Sequence, residues 1–185
     1  WDWLPSMNAT WEPAKDFLVR FAAAKVMSRP QLASLTPGTT AFTTALAASG
    51  AAPTLTVGNP YLSPFRATNY DLSFESYSVK GATIAVSLFR KNITNFFKST
   101  RTDATLALLS EMGLSDDYLD YDVITTENSS ESVTTDGLEW SWRQSLKPFA
   151  VLHKWARHVQ VWANGTPLRL SGSGAYNFSA YSPRV

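Results

Sequence analysis

The chain has 185 residues and a mass of 20.4 kDa, which suits one ordinary domain or a part of a larger protein. Its 16 basic and 15 acidic residues leave a net charge of +1, so the totals indicate neither a nucleic-acid partner nor an acidic tail. The absence of cysteine excludes disulfide scaffolds, zinc–thiolate and iron–sulfur sites and thiol nucleophiles. No apolar run approaches the roughly 20 residues of a membrane-spanning helix, which excludes a helical membrane protein but not one built from strands.

Two segments near the start of the chain alternate apolar and polar residues with period two, the pattern of a strand with one apolar and one polar face. The first segment places Trp3 and Trp11 on its apolar face. The second places Phe21 on its apolar face and Arg20 on the opposite one. Residues 12–16 form the turn between the two segments, so the sequence predicts a short hairpin.

Four further segments show the same alternation and predict two more strand pairs. Lys80-Gly81 marks the turn between the third and fourth strands. Pro167 lacks the N–H group that a ladder needs, which weakens the prediction for the upper part of the sixth strand. The apolar faces of these strands contain, in chain order, Tyr70, Leu72 and Phe74; Ile84, Val86 and Leu88; Leu138, Trp140 and Trp142; and Val159, Val161 and Ala163.

Two long connections interrupt this series of strands. Residues 29–66 are rich in Thr, Ala, Ser, Pro and Gly without sustained periodicity, and residues 97–132 form the second connection. Within the second, Asp103 to Met112 has a capping residue and leucines at near-helical spacing before Gly113, so we expect a short helix there. Short turns thus alternate with long connections, as they do in transmembrane β-barrels, whose turns are short on the periplasmic side and whose loops are long outside.

The predicted fold class is all-β. It is an antiparallel up-and-down segment of a transmembrane β-barrel, with about six strands and two long extracellular loops, one of them carrying the short helix. Trp11 and Phe17 flank a short turn, where rings of an interfacial girdle lie in such barrels. A soluble antiparallel sandwich has the same alternation and buries the same rings in a core, so the pattern alone leaves both folds open.

Short sequence matches spread along the chain resemble the barrel region of TonB-dependent outer-membrane receptors, in the order in which that family has them. Each match alone is weak, and their ordered set favours the barrel over the sandwich. The matches are Trp3-Leu4-Pro5-Ser6-Met7-Asn8, Arg20-Phe21-Ala22-Ala23, Ser28-Arg29-Pro30, Asn59-Pro60 with Leu62 and Pro64, Asn69-Tyr70-Asp71-Leu72 with Glu75, Leu88-Phe89 with Lys91 and Ile93, Gly137-Leu138-Glu139, and Val159-Gln160-Val161 with Ala163-Asn164.

The resemblance implies a barrel of about 22 strands with a plug in its lumen, of which residues 1–185 are a partial barrel domain without the plug. It implies a non-enzymatic transport receptor in the outer membrane of a Gram-negative bacterium. Such receptors take up a scarce ligand of the siderophore, cobalamin or glycan class with energy delivered through TonB. We expect the natural polypeptide to be longer, because an isolated piece of a barrel has open edges and an apolar outer face.

The implied partners are the TonB complex, which acts through the plug region, outer-membrane lipid and lipopolysaccharide, and a small-molecule or glycan ligand. No cofactor and no nucleic acid are expected. The alternative function, from a different class, is that of a secreted, aromatic-rich β-sandwich that binds carbohydrate.

Candidate site residues follow from the alternation and from the loops. Polar residues opposite the apolar faces point into the lumen of a plugged barrel, where they contact the plug or the ligand route, or form the charge network of any polar barrel interior. Loop aromatics are candidates for ligand contact, because loops on a rigid scaffold carry recognition. The lumen-facing candidates are Arg20, Asn69, Asp71, Glu75, Glu139 and Arg143, and the loop candidates are Phe42, Tyr61 and Phe65.

Residues 102–142 contain ten acidic residues and no Lys or Arg, the sharpest charge asymmetry in the chain. Asp116, Asp117, Asp120 and Asp122 offer oxygen ligands for Ca²⁺, but EF-hand spacing is absent, and a solvated loop explains the same charges. Catalytic residues are not predicted: His153 and His158 lie beside no triad or metal pattern, and no nucleotide-binding glycine motif occurs.

Overall fold

The computed structural model describes residues 1–43, 52–149, 151 and 154–181. The described residues form two compact units, of which the first falls within Trp1–Val26, Ala67–Ile93 and Ser132–Val185 and the second within Met27–Arg66 and Thr94–Glu131. Each unit contains most of one β-sheet. None of the described helices is long and apolar enough to span a membrane.

The described residues form eleven strands and two short α-helices. The strands are β1 (Ser6–Ala14), β2 (Phe17–Ser28), β3 (Gly38–Thr43), β4 (Thr54–Gly58), β5 (Phe65–Ser76), β6 (Ala82–Thr94), β7 (Phe97–Asp103), β8 (Asp122–Asn128), β9 (Ser132–Ser145), β10 (Gln160–Gly165) and β11 (Leu168–Ser171). The helices are α1 (Leu32–Leu35) and α2 (Leu106–Glu111), and 3₁₀ turns occur at Asp116–Tyr118, Lys147–Phe149, Lys154–His158 and Ala175–Tyr181.

The sheet of the first unit has the order β1-β2-β5-β6-β9-β10, with β11 also paired to β9. Its first six members are the six strands that the sequence predicts, and they lie in the sheet in chain order. The pairs β1–β2, β9–β10 and β9–β11 are antiparallel. The predicted all-β, up-and-down barrel segment is therefore confirmed.

Pro167 divides the sixth predicted strand into β10 and β11. Gly165 pairs with Trp140 at the end of β10, and Leu168 pairs with Gly137 at the start of β11. Pro167 has no N–H to donate, but its carbonyl accepts a 3.0 Å hydrogen bond from the Leu138 N–H. The ladder is interrupted at the proline, and pairing with β9 resumes on its far side.

The apolar face of this sheet is exposed rather than buried. The register of β1 with β2 places Trp11 opposite Val19, and that of β9 with β10 places Trp140 opposite Gly165. Trp11 is 66% exposed, Leu88 44% and Trp140 40%. Large apolar side chains on one face of a sheet, left open, are what the lipid-facing wall of a barrel requires, whereas a sandwich buries them.

The two long connections contain a second sheet, which the sequence analysis did not predict. Its order is β3-β4-β8-β7, with β4 and β8 parallel and the other pairs antiparallel. Leu55, Val57 and Val123 form its buried core, against which Leu108 and Met112 of the α2 region pack. The expected helix is present as α2: Thr105 caps it by accepting a 3.2 Å hydrogen bond from the Leu108 N–H, and Gly113 follows in a left-handed conformation.

Candidate functional site

Arg20 and Glu75, two of the predicted lumen-facing residues, form an ion pair on the polar face of the first sheet. Arg20 Nε lies 2.9 Å from Glu75 Oε1, and Arg20 Nη1 lies 3.5 Å from Thr10 Oγ1. The Tyr77 hydroxyl donates to Glu75 Oε2 at 2.8 Å. This hydrogen bond raises the pKa of Tyr77, because the carboxylate stabilises the protonated phenol. The ion pair holds these two long side chains together across neighbouring strands. It leaves little net charge at this position on the polar face.

Asn69, Asp71 and Glu139 line one hollow of about 600 Å³ on the polar face. Arg90 and Lys91 line it as well, so the lining contains two basic groups and two carboxylates. The Asn69 Oδ1 atom is buried, and it has no hydrogen-bond partner among the described residues. Such an acceptor can accept a hydrogen bond from a donor group that occupies the hollow.

The absence of a side chain at Gly137 lets its strand lie close to an aromatic ring. A Cβ atom added at Gly137 would overlap the ring of Phe89. Phe89 itself lines the hollow. Glycine in the middle of a strand often occurs where a neighbouring group approaches the backbone closely. Phe89 and Gly137 therefore share the polar face of the sheet.

Arg143 lies in a separate hollow of about 310 Å³, together with Trp162 and Asn164. Arg143 and Trp162 are cross-strand partners, so their side chains share the polar face. Trp162 is 71% exposed, and it is not among the site residues predicted from the sequence. The signal was present, since alternation with Val161 and Ala163 places Trp162 opposite the apolar face. The six lumen candidates thus fall into three separate groups.

The second unit holds a pocket of about 440 Å³ between its sheet and α2. Tyr61 lines this pocket, and it is 89% exposed. The pocket is lined by Pro37, Gly38, Val57, Gly58, Asn59, Pro60, Tyr61, Leu108, Glu111, Met112, Thr125 and Glu127, a set with two carboxylates and no Lys or Arg.

Two asparagines fix the segment that carries Tyr61. Asn59 Nδ2 donates to the Thr126 carbonyl at 3.0 Å, and Asn59 Oδ1 accepts from the Tyr61 N–H at 2.9 Å. Asn128 accepts from the Ser63 N–H and donates to the Ser63 carbonyl, both at 2.8 Å. These side chains replace the ladder hydrogen bonds that the irregular Asn59–Ser63 segment lacks, which holds Tyr61 at the pocket.

The other two loop candidates, Phe65 and Phe42, are not among the residues that line this pocket. The ring of Phe65 packs edge-on against Phe97, with centroids 5.8 Å apart, so it has a packing role. The Phe42 backbone pairs with Leu55, and the Phe42 side chain lies outside the described part of the chain. Contact of these two residues with a ligand stays a prediction.

Some of the described acidic residues between 102 and 142 have local hydrogen-bond and ion-pair partners. Asp122 forms an ion pair with Arg101 at 2.5 Å, and Asp117 accepts from the Ser115 hydroxyl at 2.8 Å. Within the described residues, no three His, Asp or Glu side chains are grouped to hold a metal ion. The Ca²⁺ interpretation stays a prediction. His158 is exposed at the end of a 3₁₀ turn, and His153 lies outside the described residues.

An exposed apolar face, a polar opposite face and long connections that fold into their own sheet define the wall and loops of an outer-membrane β-barrel. The family model "TonB dependent receptor-like, beta-barrel" matches residues 1–184. The chain belongs to the TonB-dependent receptor β-barrel family.

Two similar solved structures are receptors of Pseudomonas aeruginosa. The siderophore receptor PirA is 20% identical, with a TM-score of 0.67 over 92% of this chain and 28% of PirA. A mutant of the ferric enterobactin receptor PfeA is 21% identical, with a TM-score of 0.58 over 78% of this chain and 20% of PfeA. The chain therefore spans about a quarter of these receptors, and their likeness shows the fold. No curated protein matches the sequence significantly.

Proposed function

We propose that this chain is an internal part of a longer TonB-energised receptor, in which it supplies barrel wall and extracellular loops for the uptake of a siderophore-class ligand. The main observation in support of this proposal is the first sheet, which has an exposed apolar face and a polar opposite face. The family match covers residues 1–184 and so includes all of this sheet. Within the described residues, β1 and β10 each have a single neighbour, and a barrel wall in hydrocarbon needs partners for both edges.

The pocket beside Tyr61 is the part of the chain that first binds the ligand in this proposal. Its lining combines apolar surface from Val57, Leu108 and Met112 with two carboxylates, so it disfavours a strongly anionic ligand. Among ferric chelates, a neutral or cationic one is complementary to this lining. The names of the two similar receptors support the siderophore class over cobalamin and glycans.

The polar face of the first sheet supplies the lumen wall. The Arg20–Glu75 ion pair is satisfied within the sheet, and it stiffens the wall. The hollow around Asn69, Asp71 and Glu139 retains an acceptor without a partner in the described residues, so it is the part of the wall suited to contact the plug.

Uptake in cells tests the proposal. The full-length gene that contains this chain is expressed in a receptor-deficient strain, and uptake of radioactive iron is measured with a neutral ferric trihydroxamate and an anionic ferric tris-catecholate. We expect TonB-dependent uptake of the neutral chelate. Uptake that persists without TonB, or an absence of uptake of both chelates, contradicts the proposal.

A pair of tyrosine substitutions locates the capture step. Tyr61→Ala is expected to raise the half-saturating chelate concentration about tenfold, the effect of losing one aromatic contact worth roughly 1.4 kcal/mol. Tyr176→Ala, at an exposed tyrosine outside the pocket lining, is the matched control and should change it less than about twofold. Equal effects of the two substitutions would contradict the assignment of the pocket.

A further inference from the structure

Two connections at one end of the first sheet carry exposed basic side chains and no acidic ones. β5 joins β6 through residues 77–81, and β9 joins β10 through residues 146–159. Because the strands of this sheet run up and down in chain order, both connections lie at the same end. Neither contains Asp or Glu. Their exposed cations, together called the basic patch, are Lys80, Lys147, Lys154 and Arg157.

The two connections pack against each other, so their charges form one surface. The Ser145 N–H donates to the Gly81 carbonyl at 2.7 Å. A Cβ atom added at Gly81 would lie 3.1 Å from Pro148 Cγ, in the 3₁₀ turn Lys147–Phe149. The turn that carries Lys80 therefore lies beside the turn that carries Lys147.

The described part of the longer connection is folded. The Leu146 N–H donates to the Val159 carbonyl at 3.0 Å, which closes its base, and Ala156 is buried beneath it. Arg157 Nε donates to the Lys154 carbonyl at 3.0 Å, a bond to a neutral acceptor that leaves the positive charge uncompensated. Trp155 is 59% exposed.

The basic patch has no internal counter-charge. Within the part of the chain that the structure describes, no carboxylate lies within ion-pair distance of its four cations. A solvent-exposed group of like charges favours an anionic partner.

The patch lies at the end of the sheet that faces the periplasm in an outer-membrane barrel, because short connections are periplasmic in such barrels. On β9 the exposed apolar face ends with Trp142, three residues before Ser145. The connection at 146–159 begins after Ser145, so it lies beyond the rings that mark the edge of the apolar face.

The positive charge is confined to two of the three connections at this end. In the connection between β1 and β2, Lys15 is followed by Asp16, so the charges of this turn cancel. This turn adjoins the patch, since the Tyr77 N–H donates to the Asp16 carbonyl at 2.8 Å. Membrane lipid surrounds a barrel and meets every connection, so a localised patch favours a partner that docks at one position.

We infer that the basic patch and Trp155 form a docking surface for peptidoglycan. The stem peptides of this polymer carry free carboxylates, which pair with the lysine and arginine side chains. The apolar face of a pyranose ring packs on an exposed indole, which favours a glycan over an acidic protein segment. The surface rests on the outer-membrane location in the proposed function and is independent of which ligand is transported.

Co-sedimentation with purified cell-wall sacculi tests this inference. The full-length receptor in neutral detergent is titrated with untreated sacculi and with sacculi whose stem-peptide carboxylates have been converted to amides. Untreated sacculi should bind about tenfold more tightly, because the amides carry no charge to pair with the patch. Raising the salt concentration should weaken binding to untreated sacculi.

Paired charge substitutions locate the surface. Lys154→Gln combined with Arg157→Gln should weaken binding about tenfold. Lys15→Gln combined with Lys25→Gln removes the same charge outside the patch and should change binding less than about twofold. Ser78→Lys adds a cation to the shorter connection and should tighten binding about threefold, a change that misfolding cannot imitate.

Substitutions of the indole test the contact with the sugar. Trp155→Ala should weaken binding about fivefold, whereas Trp155→Phe retains an aromatic face and should weaken it less than about twofold. Equal losses in the two variants would contradict packing of a sugar ring on this side chain.

The inference is overturned if the Lys154 and Arg157 variant binds as wild type, if the Lys15 and Lys25 control loses as much, or if amidated sacculi bind equally well. Complete displacement by phosphatidylglycerol nanodiscs would identify a lipid surface instead. Equal displacement by soluble muropeptides and by poly-glutamate, at the same carboxylate concentration, would identify a site for acidic protein segments and also overturn it. Iron uptake without sacculus binding would reject only this inference, and sacculus binding without iron uptake would reject only the transport proposal.

Discussion

Replacement of Gly137 by alanine should destabilise the barrel wall through one identifiable clash. The added Cβ overlaps the Phe89 ring, a rigid group in a neighbouring strand rather than the end of a flexible chain. Overpacking of this kind costs about 1–3 kcal/mol, because the ring must leave its preferred rotamer or the strands must separate. In the full-length receptor, this change lowers the folding equilibrium constant about five- to 150-fold.

The assay is urea unfolding of the folded receptor in detergent, followed by tryptophan fluorescence and by the gel mobility of the folded form. The matched control is the same Gly137→Ala change in a Phe89→Ala background, where the ring is absent. There the added methyl group should be neutral or stabilising, since alanine is less flexible than glycine in the unfolded chain. An equal cost of Gly137→Ala in both backgrounds would refute the argument that the glycine exists to admit the ring.

Three further outcomes follow from the hydrogen bonds and the core. Asn59→Ala removes bonds to the Thr126 carbonyl and the Tyr61 N–H, so chelate affinity should fall by about tenfold, as measured by binding titration, whereas an unchanged affinity would contradict the role of Asn59 in fixing Tyr61. The pKa of Tyr77 is raised by Glu75, so its contribution to stability is complete below its unfolded value of about 10 and is lost as pH rises through the folded pKa. Tyr77→Phe should abolish this alkaline dependence in pH-dependent unfolding, and a dependence that survives would exclude Tyr77 as its source. Leu55→Ala, at a side chain with 0% exposure, should cost about 2–5 kcal/mol and increase proteolysis at residues 52–66, and wild-type protease resistance would contradict the core assignment.

The six strands of the first sheet could be predicted because their signal is local. Alternation with period two is readable within each segment, and the short turns predicted at residues 12–16 and at Lys80-Gly81 indicate which segments are neighbours. The effect of Pro167 was equally local, since a missing N–H interrupts a ladder wherever the proline stands. These features depend on nearest neighbours in the chain.

The second sheet could not be predicted because its defining contact is not local. β4 has only five residues, and it pairs in parallel with β8, so that Leu55 lies beside Val123 from the other long connection. Each strand alone is too short for a clear alternation, and threonine-rich sequence resembles loop composition. The burial that stabilises both strands appears only when the two connections meet.

The grouping of the candidate site residues could not be predicted from the sequence. Alternation placed Arg20, Asp71 and Glu75 on the polar face, and the structure adds that Arg20 and Glu75 pair directly while Asp71 lies in a separate hollow. Such partnerships depend on cross-strand register, which a single sequence does not contain. The ion pair between Arg90 and Asp136, with Nε 2.6 Å from Oδ1, could not be predicted for the same reason, because neither residue alone indicates its cross-strand partner.

The accessibility of consecutive positions along β9, in the full-length receptor in lipid bilayers, tests directly whether this sheet is a barrel wall. The chain has no cysteine, so single cysteines from Leu138 to Arg143 can be spin-labelled without background from this segment. For a barrel wall, we expect contact with lipid-dissolved oxygen at Leu138, Trp140 and Trp142 and contact with a water-soluble relaxation agent at Glu139, Ser141 and Arg143. Uniform accessibility along the segment, or alternation of the opposite phase, would contradict the assignment of this sheet as a barrel wall with its aromatic face toward the membrane.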